Sequence, residues 1–345
     1  MILIVLCIMP IVVIQAGRHF FREEERQIRT HIREAVKKEY PEAVKRLKAT
    51  YGLRPFEQPI PQIKRNTQKS TVILVHGLDD PGKVWINLAP ALIEEGFPVW
   101  ILIYPNDQPI TESAQFFLEH IKSQNLSGTG SISIVAHSMG GLVTREMLTN
   151  TELFYAEKAE IGEFPRVNQL IMVGTPNHGS ELARFRIVTE FRDQLENLFK
   201  GNYHWLQGIV DGAGEAGMDM IPGSNFLKRL NSRPHPSNVR MLVIAGEISQ
   251  RQKNEIRELA HNLDFKPQGD NRIATKKMEN VLLSMSKQIG DGLVSVNSAC
   301  LSGVPLKIVQ GTHLSMIRNI TADSQRTPPA IPIIIEQLNR SLSKY

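Results

Sequence analysis

From Thr71 onward the chain alternates short apolar runs with stretches of helical periodicity, and that rhythm leaves few architectures open. The apolar runs are residues 72–75, 98–104, 131–136, 169–173, 239–245 and 305–309. They are rich in Val, Ile and Leu, and several lack the polar alternation of a strand with one wet face. Strands covered on both faces of a parallel sheet have this character. Helical patterns fall at residues 84–94, 110–124, 139–149 and 332–342. A βαβα order predicts a mostly parallel sheet with helices on both faces. One interval, residues 180–237, is too long for a crossover loop, since loops beyond about 15 residues without structure are uncommon. It is read as an inserted cap on a single domain spanning residues 63–345. No internal repeat is present.

The sharpest local signal is Ile134-Val135-Ala136-His137-Ser138-Met139-Gly140-Gly141. An apolar strand runs directly into a serine flanked by small residues, and a helical pattern follows at once. Such a junction permits a tight turn that lifts Ser138 Oγ above the sheet at the positive end of the next helix. Bulk at position 136 or 140 would prevent the close packing of strand and helix that this turn requires.

These pieces, with others in the same order, make the chain resemble an α/β-hydrolase of the bacterial lipase and esterase type. It is also similar to the deacylases that remodel lipid anchors. The resemblance covers residues 71–337 and rests on several motifs. They are Val75-His76-Gly77-Leu78, Tyr104-Pro105-Asn106, the serine turn, Gly174-Thr175-Pro176-Asn177-His178-Gly179-Ser180, Gly290-Asp291-Gly292-Leu293-Val294-Ser295, and Thr312-His313. Ala136 stands where the pattern more often has Gly. The resemblance implies an α/β-hydrolase fold with a mostly parallel central sheet, helices on both faces and an inserted cap or lid.

The chemistry can be assembled from the residues. A serine hydroxyl needs a positioned base, and this architecture supplies partners in the order Ser, acid, His. His235, His261 and His313 follow the serine turn late in the chain. His313 directly succeeds the last apolar run and is taken as the base. His235 lies between two prolines, and His261 lies in a charged stretch. Two carboxylates compete for the acid: Glu247 follows the run 239–245 directly, and Asp291 sits in Gly290-Asp291-Gly292. The resemblance to lipases favours Asp291. The expected triad is therefore Ser138, Asp291 and His313. Two backbone N–H groups would form the oxyanion hole, Met139 after the nucleophile and Leu78 after the first strand. His76 and His137 are read as structural, and Asn177-His178 as loop structure at the mouth of the site.

The implied activity is hydrolysis of carboxylic esters, lipase-like, through an acyl-enzyme on Ser138, with acyl or lipid esters as substrates and no cofactor or metal. An acyltransferase or thioesterase using the same triad is the enzymatic alternative, and a catalytically silent membrane-bound binding module is the non-enzymatic one. Two cysteines, Cys7 and Cys300, exclude a disulfide framework and a thiolate zinc site.

The N-terminal arm sets the expected location. Residues 1–17 carry no charged side chain. A helix of that length spans about 25 Å, near the low end for a bilayer core, so the segment is read as a membrane anchor. A cleaved signal peptide, leaving a secreted or periplasmic protein, is the alternative. Residues 18–62 are expected to form a basic helical arm and a Pro-rich linker. Arg18, Arg22, Arg26, Arg29, Arg33 and Lys37 share one helical face that could lie on anionic headgroups. Of the net charge of +5, residues 18–48 account for +4. Nucleic-acid partners are not expected, because the working domain is near neutral. Leu182, Phe185, Val188, Phe191, Leu195 and Leu198 form one apolar face, read either as core packing or as a lid.

Overall fold

The apolar runs become strands of one sheet. The computed structural model of the chain describes residues 50–56, 69–78, 82–106, 108–124, 126, 131–180, 215–249, 290–321 and 324–340. In chain order the strands are β1 (Gly52–Pro55), β2 (Thr71–Val75), β3 (Val99–Ile103), β4 (Ser131–His137), β5 (Arg166–Val173), β6 (Arg240–Glu247) and β7 (Leu306–Gln310). The helices are α1 (Leu88–Glu94), α2 (Ile110–Ser123), α3 (Met139–Thr149), α4 (Tyr155–Glu160), α5 (Glu215–Asp219), α6 (Asn225–Ser232), α7 (Val296–Ala299) and α8 (Ala330–Asn339).

The seven strands lie in the order β1-β3-β2-β4-β5-β6-β7. Only β1 is antiparallel to its neighbour; every other pairing is parallel. Alternate residues of the inner strands feed two separate cores. Ile73, Val75, Ile134, Ala136, Leu170 and Met172 pack with α2 and α3 on one face. Val72, Leu74, Val135, Ile171, Val173 and Ile244 pack with α1 and α8 on the other. With both faces covered, all five residues of β2 are buried, which explains the missing polar alternation. Sealing each such Val, Leu or Ile contributes about 1.5–3 kcal/mol.

The structure departs from the sequence reading at both ends of the domain. Gly52–Pro55 lies inside the stretch 18–62 taken as arm and linker, yet it is an edge strand of the sheet. Its sequence, Gly-Leu-Arg-Pro, buries only Leu53, so it lacks a strand's apolar signal. Pro55 is accommodated because an edge strand need not donate on its outer side. The pattern at 84–94 divides into a single 3₁₀ turn, Lys83–Trp85, and α1. The last helix begins two residues earlier than expected, which leaves Pro332 in the first turn, where its missing N–H costs nothing.

The described C-terminal part of the interval 180–237 packs on the main body. Ala216, Met220, Phe226, Leu227 and Leu230 join the core shared with α2 and α3. Asp219 Oδ2 accepts from Ile110 N at 3.0 Å and so caps α2. The apolar stretch 182–198 lies outside the described residues, as do residues 1–17, the basic stripe 18–48 and His261. Among the described residues no helix is long and apolar enough to cross a membrane.

Candidate active site

Ser138 stands between the end of β4 and the start of α3 with φ 54° and ψ −129°. An L-residue rarely adopts that conformation, and three glycines show what enforces it. A Cβ on Gly140 would come within 2.3 Å of the Val75 carbonyl oxygen, so α3 approaches β2 more closely than any side chain allows. A Cβ on Gly141 would strike the Thr175 hydroxyl. A Cβ on Gly77 would lie 2.7 Å from Ser138 Cβ and 3.2 Å from its Oγ, so the loop after β2 crosses directly against the serine. The Ser138 N–H donates to Val173 O at 2.8 Å, which ties the turn to the end of β5.

Asp291 and His313 meet across the ends of β6 and β7. His313 Nδ1 donates to Asp291 Oδ2 at 2.8 Å. The second carboxylate oxygen, Oδ1, accepts from Leu293 N at 2.9 Å and Val294 N at 2.8 Å. The backbones are joined as well, with His313 N donating to Asp291 O at 2.8 Å. Asp291 is 1% exposed and His313 6%. A carboxylate buried this deeply requires such partners. The flanking glycines are sterically required: a Cβ on Gly290 would come within 2.2 Å of Val294 O, and Gly292 has φ 96°. Beyond the imidazole, Thr312 and Ser315 cap each other, with Thr312 N donating to Ser315 Oγ at 2.8 Å.

The imidazole also lies against the end of β5. A Cβ on Gly174 would fall 3.1 Å from His313 Nδ1. Since Ser138 N is bonded to Val173, the residue before Gly174, serine turn and imidazole meet around the same two residues. The carboxylate on His313 is thus Asp291. Glu247, its rival in the sequence, is half-buried at the end of β6, and its carbonyl accepts from Gly311 N at 3.0 Å. His235 is remote and exposed, with Nε2 donating to Ser302 O at 3.0 Å.

Met139 is the first residue of α3, where a backbone N–H has no acceptor within its own helix. The peptide joining Gly77 to Leu78 is fixed from its carbonyl side. Gly77 O accepts from His76 Nδ1 at 2.7 Å and from Asn106 Nδ2 at 3.4 Å. In a planar trans peptide the N–H of Leu78 then points the opposite way, off those two side chains. His76 is held in turn: its carbonyl accepts from the Tyr104 hydroxyl at 2.7 Å, and its ring stacks on Tyr104 at 4.6 Å. Burial pushes the Tyr104 phenol far up, so it stays a donor. Sequence reasoning left Asn106 without a role; only its place after Tyr104-Pro105 hinted at one.

His137 is buried, at 2% exposure, at the end of β4. Its ring is not idle. Nε2 donates to the backbone carbonyl of His313 at 3.0 Å, and the two imidazoles sit 4.7 Å apart. Burial holds its pKa well below the usual imidazole value, and the neighbouring His313 lowers it further. The segment Asn177-His178 is loop structure. Asn177 Oδ1 accepts from Arg145 at 3.0 Å, and its Nδ2 donates to Ala299 O at 2.7 Å. Burial lowers the Arg145 guanidinium to about 10. Among the described residues no cluster of His, Cys, Asp or Glu could hold a metal ion.

Comparison with known proteins agrees with this architecture. A family model described as a domain of unknown function (DUF7379) matches residues 108–268. No curated protein matches the sequence. The mature form of the Bacillus licheniformis lipase BlEst2 superposes with a TM-score of 0.52 at 15% identity, covering 83% of this chain and 97% of that one. The Staphylococcus hyicus lipase gives 0.52 at 14% identity, covering 82% of this chain and 97% of that one. The phospholipase PlaB of Legionella pneumophila gives 0.52 at 17% identity, covering 78% of this chain but only 60% of the longer phospholipase. The fold of this chain is the α/β-hydrolase fold.

Proposed function

We propose that the chain is a serine hydrolase of carboxylic esters, lipase-like, that acts on acyl or lipid esters near a membrane. One observation carries the reading: the Asp291–His313 pair, bonded at 2.8 Å, lies beside the turn on which Ser138 is held at φ 54°. In the proposed reaction His313 Nε2 takes the proton of Ser138 Oγ as the oxygen attacks the ester carbonyl carbon. Asp291 keeps the proton of Nδ1 in place and offsets the charge gained by the ring. The N–H groups of Met139 and Leu78 receive the oxyanion. The alcohol leaves with the proton from His313. Water then gives a proton to His313 and its oxygen to the acyl carbon; as the bond from the acyl carbon to Ser138 Oγ breaks, His313 returns that proton to Oγ, which frees the acid and restores the serine hydroxyl.

Apolar side chains next to Gly77 and Asp291 in the chain support an acyl substrate. Leu78 is half-buried at the turn beside Gly77, and Leu293, two residues past Asp291, is 48% exposed. The uncharged run 1–17 and the basic stripe that follows support a location at a membrane surface. Each additional methylene sealed in an apolar groove contributes about 0.8 kcal/mol, or roughly fourfold. A chain-length series of esters, in solution and in anionic vesicles, tests the reading. The expected result is a preference for medium or long chains. Best turnover of acetyl or butyryl esters in both formats would overturn the lipase reading in favour of a general carboxylesterase.

A further inference from the structure

The residue that precedes the nucleophile also grips the base. His137 is part of β4 and leads directly into Ser138, while its side chain reaches the loop after β7. A carbonyl oxygen can only accept, so the 3.0 Å contact to His313 O requires the proton of His137 to be on Nε2. Its other nitrogen, Nδ1, is buried without a hydrogen-bond partner among the described residues, so the neutral tautomer is the one this site accommodates. The ring is wedged between two others, edge-on to Trp85 at 6.4 Å and tilted against His313 at 4.7 Å.

The backbone of His313 is consequently held at both of its polar atoms. Its N–H is bonded to Asp291 O at 2.8 Å, and its carbonyl is bonded to His137. Asp291 alone would fix the imidazole relative to β6 and leave its distance from β4 to packing. His137 closes that gap with a hydrogen bond from the residue covalently joined to Ser138. An error of about 1 Å in the placement of a reacting group can cost 10²-fold in rate, so a bond that sets this distance bears on turnover.

Resting on the serine-hydrolase reading, we propose that His137 is a positioning residue for His313, acting through its Nε2–H on the backbone carbonyl of the base. It touches no substrate, so substrate binding is left nearly unchanged when it is altered.

Two variants separate a hydrogen bond from simple packing. His137→Phe keeps a ring between Trp85 and His313 but removes the donor. His137→Gln gives up the ring but places an N–H donor at the same number of bonds from the backbone. Kinetics on a soluble ester, with active sites counted by a serine-directed phosphonate, should show kcat of His137→Phe reduced about 10- to 100-fold with KM within twofold. His137→Gln should recover most of that loss, even where its thermal midpoint is the lower of the two. The second-order rate of phosphonate inactivation at Ser138 should fall in the same proportion as kcat. Unchanged kcat and inactivation rate in His137→Phe would overturn the proposal. So would equal losses in both variants that follow their thermal stability, because packing alone would then explain them. A wild-type protein that does not react at Ser138 would instead overturn the serine-hydrolase reading, and this proposal with it.

Discussion

The turn at Ser138 should store strain that can be measured apart from any chemistry. Its φ of 54° and ψ of −129° lie where a Cβ is penalised, and the cost of holding a non-glycine residue there is about 1–3 kcal/mol. Ser138→Ala removes the hydroxyl but keeps the Cβ and with it the strain. Ser138→Gly removes both. Glycine loses more conformational entropy on folding, which costs about 0.5–1 kcal/mol relative to alanine and offsets part of the relief. The glycine variant should therefore be the more stable of the two by about 1 kcal/mol, although both lack the hydroxyl. Equilibrium urea unfolding at matched slopes reads the difference as a shift in midpoint. At an ordinary position the same exchange would lower stability. A glycine variant that unfolds at lower urea than the alanine variant would refute the claim that the turn is strained.

Three further outcomes follow from the same geometry. Asp291→Asn should cost roughly 10⁴ in turnover, because an amide can hold the wrong tautomer of His313, while Glu247→Gln should cost far less; steady-state kinetics give the ranking. Gly140→Ala should destabilise the fold or abolish expression, since its Cβ meets the carbonyl oxygens of Val75 and His76 at 2.3 and 2.6 Å; denaturation of any soluble material checks it. His137 gives stability a pH dependence. Its folded pKa is lowered chiefly by burial, then by His313, with His76 and Arg318 adding in the same direction and its bond to the His313 carbonyl opposing them. Below about 6.5 the unfolded chain takes up a proton there that the folded chain refuses, so stability is present above that pH and falls as pH drops, by up to about 1.4 kcal/mol per pH unit. His137→Gln should flatten the urea-midpoint profile below pH 6.5.

Much of the site could be read along the chain because its constraints are local. Gly140 and Gly141 follow Ser138 directly and are needed for the approach of α3 to β2 and to Thr175. Gly290 and Gly292 flank Asp291 for reasons equally confined to one turn. The βα rhythm was legible because a strand buried on both faces must be apolar throughout. What escaped the sequence was set by distant partners. Asn106 acts on Gly77 across 29 positions and His137 on His313 across 176, and neither residue type announces which carbonyl it will meet. β1 escaped because an edge strand of four residues with a single buried side chain carries almost no pattern.

Labelling of the wild-type protein with a serine-directed phosphonate, followed by peptide mass spectrometry, shows whether Ser138 is the reacting hydroxyl. One adduct should form, on the peptide carrying Ser138. It should vanish in Ser138→Ala and form far more slowly in His313→Ala. A folded wild-type protein that remains unlabelled, or one that carries the adduct on another serine, would contradict the account.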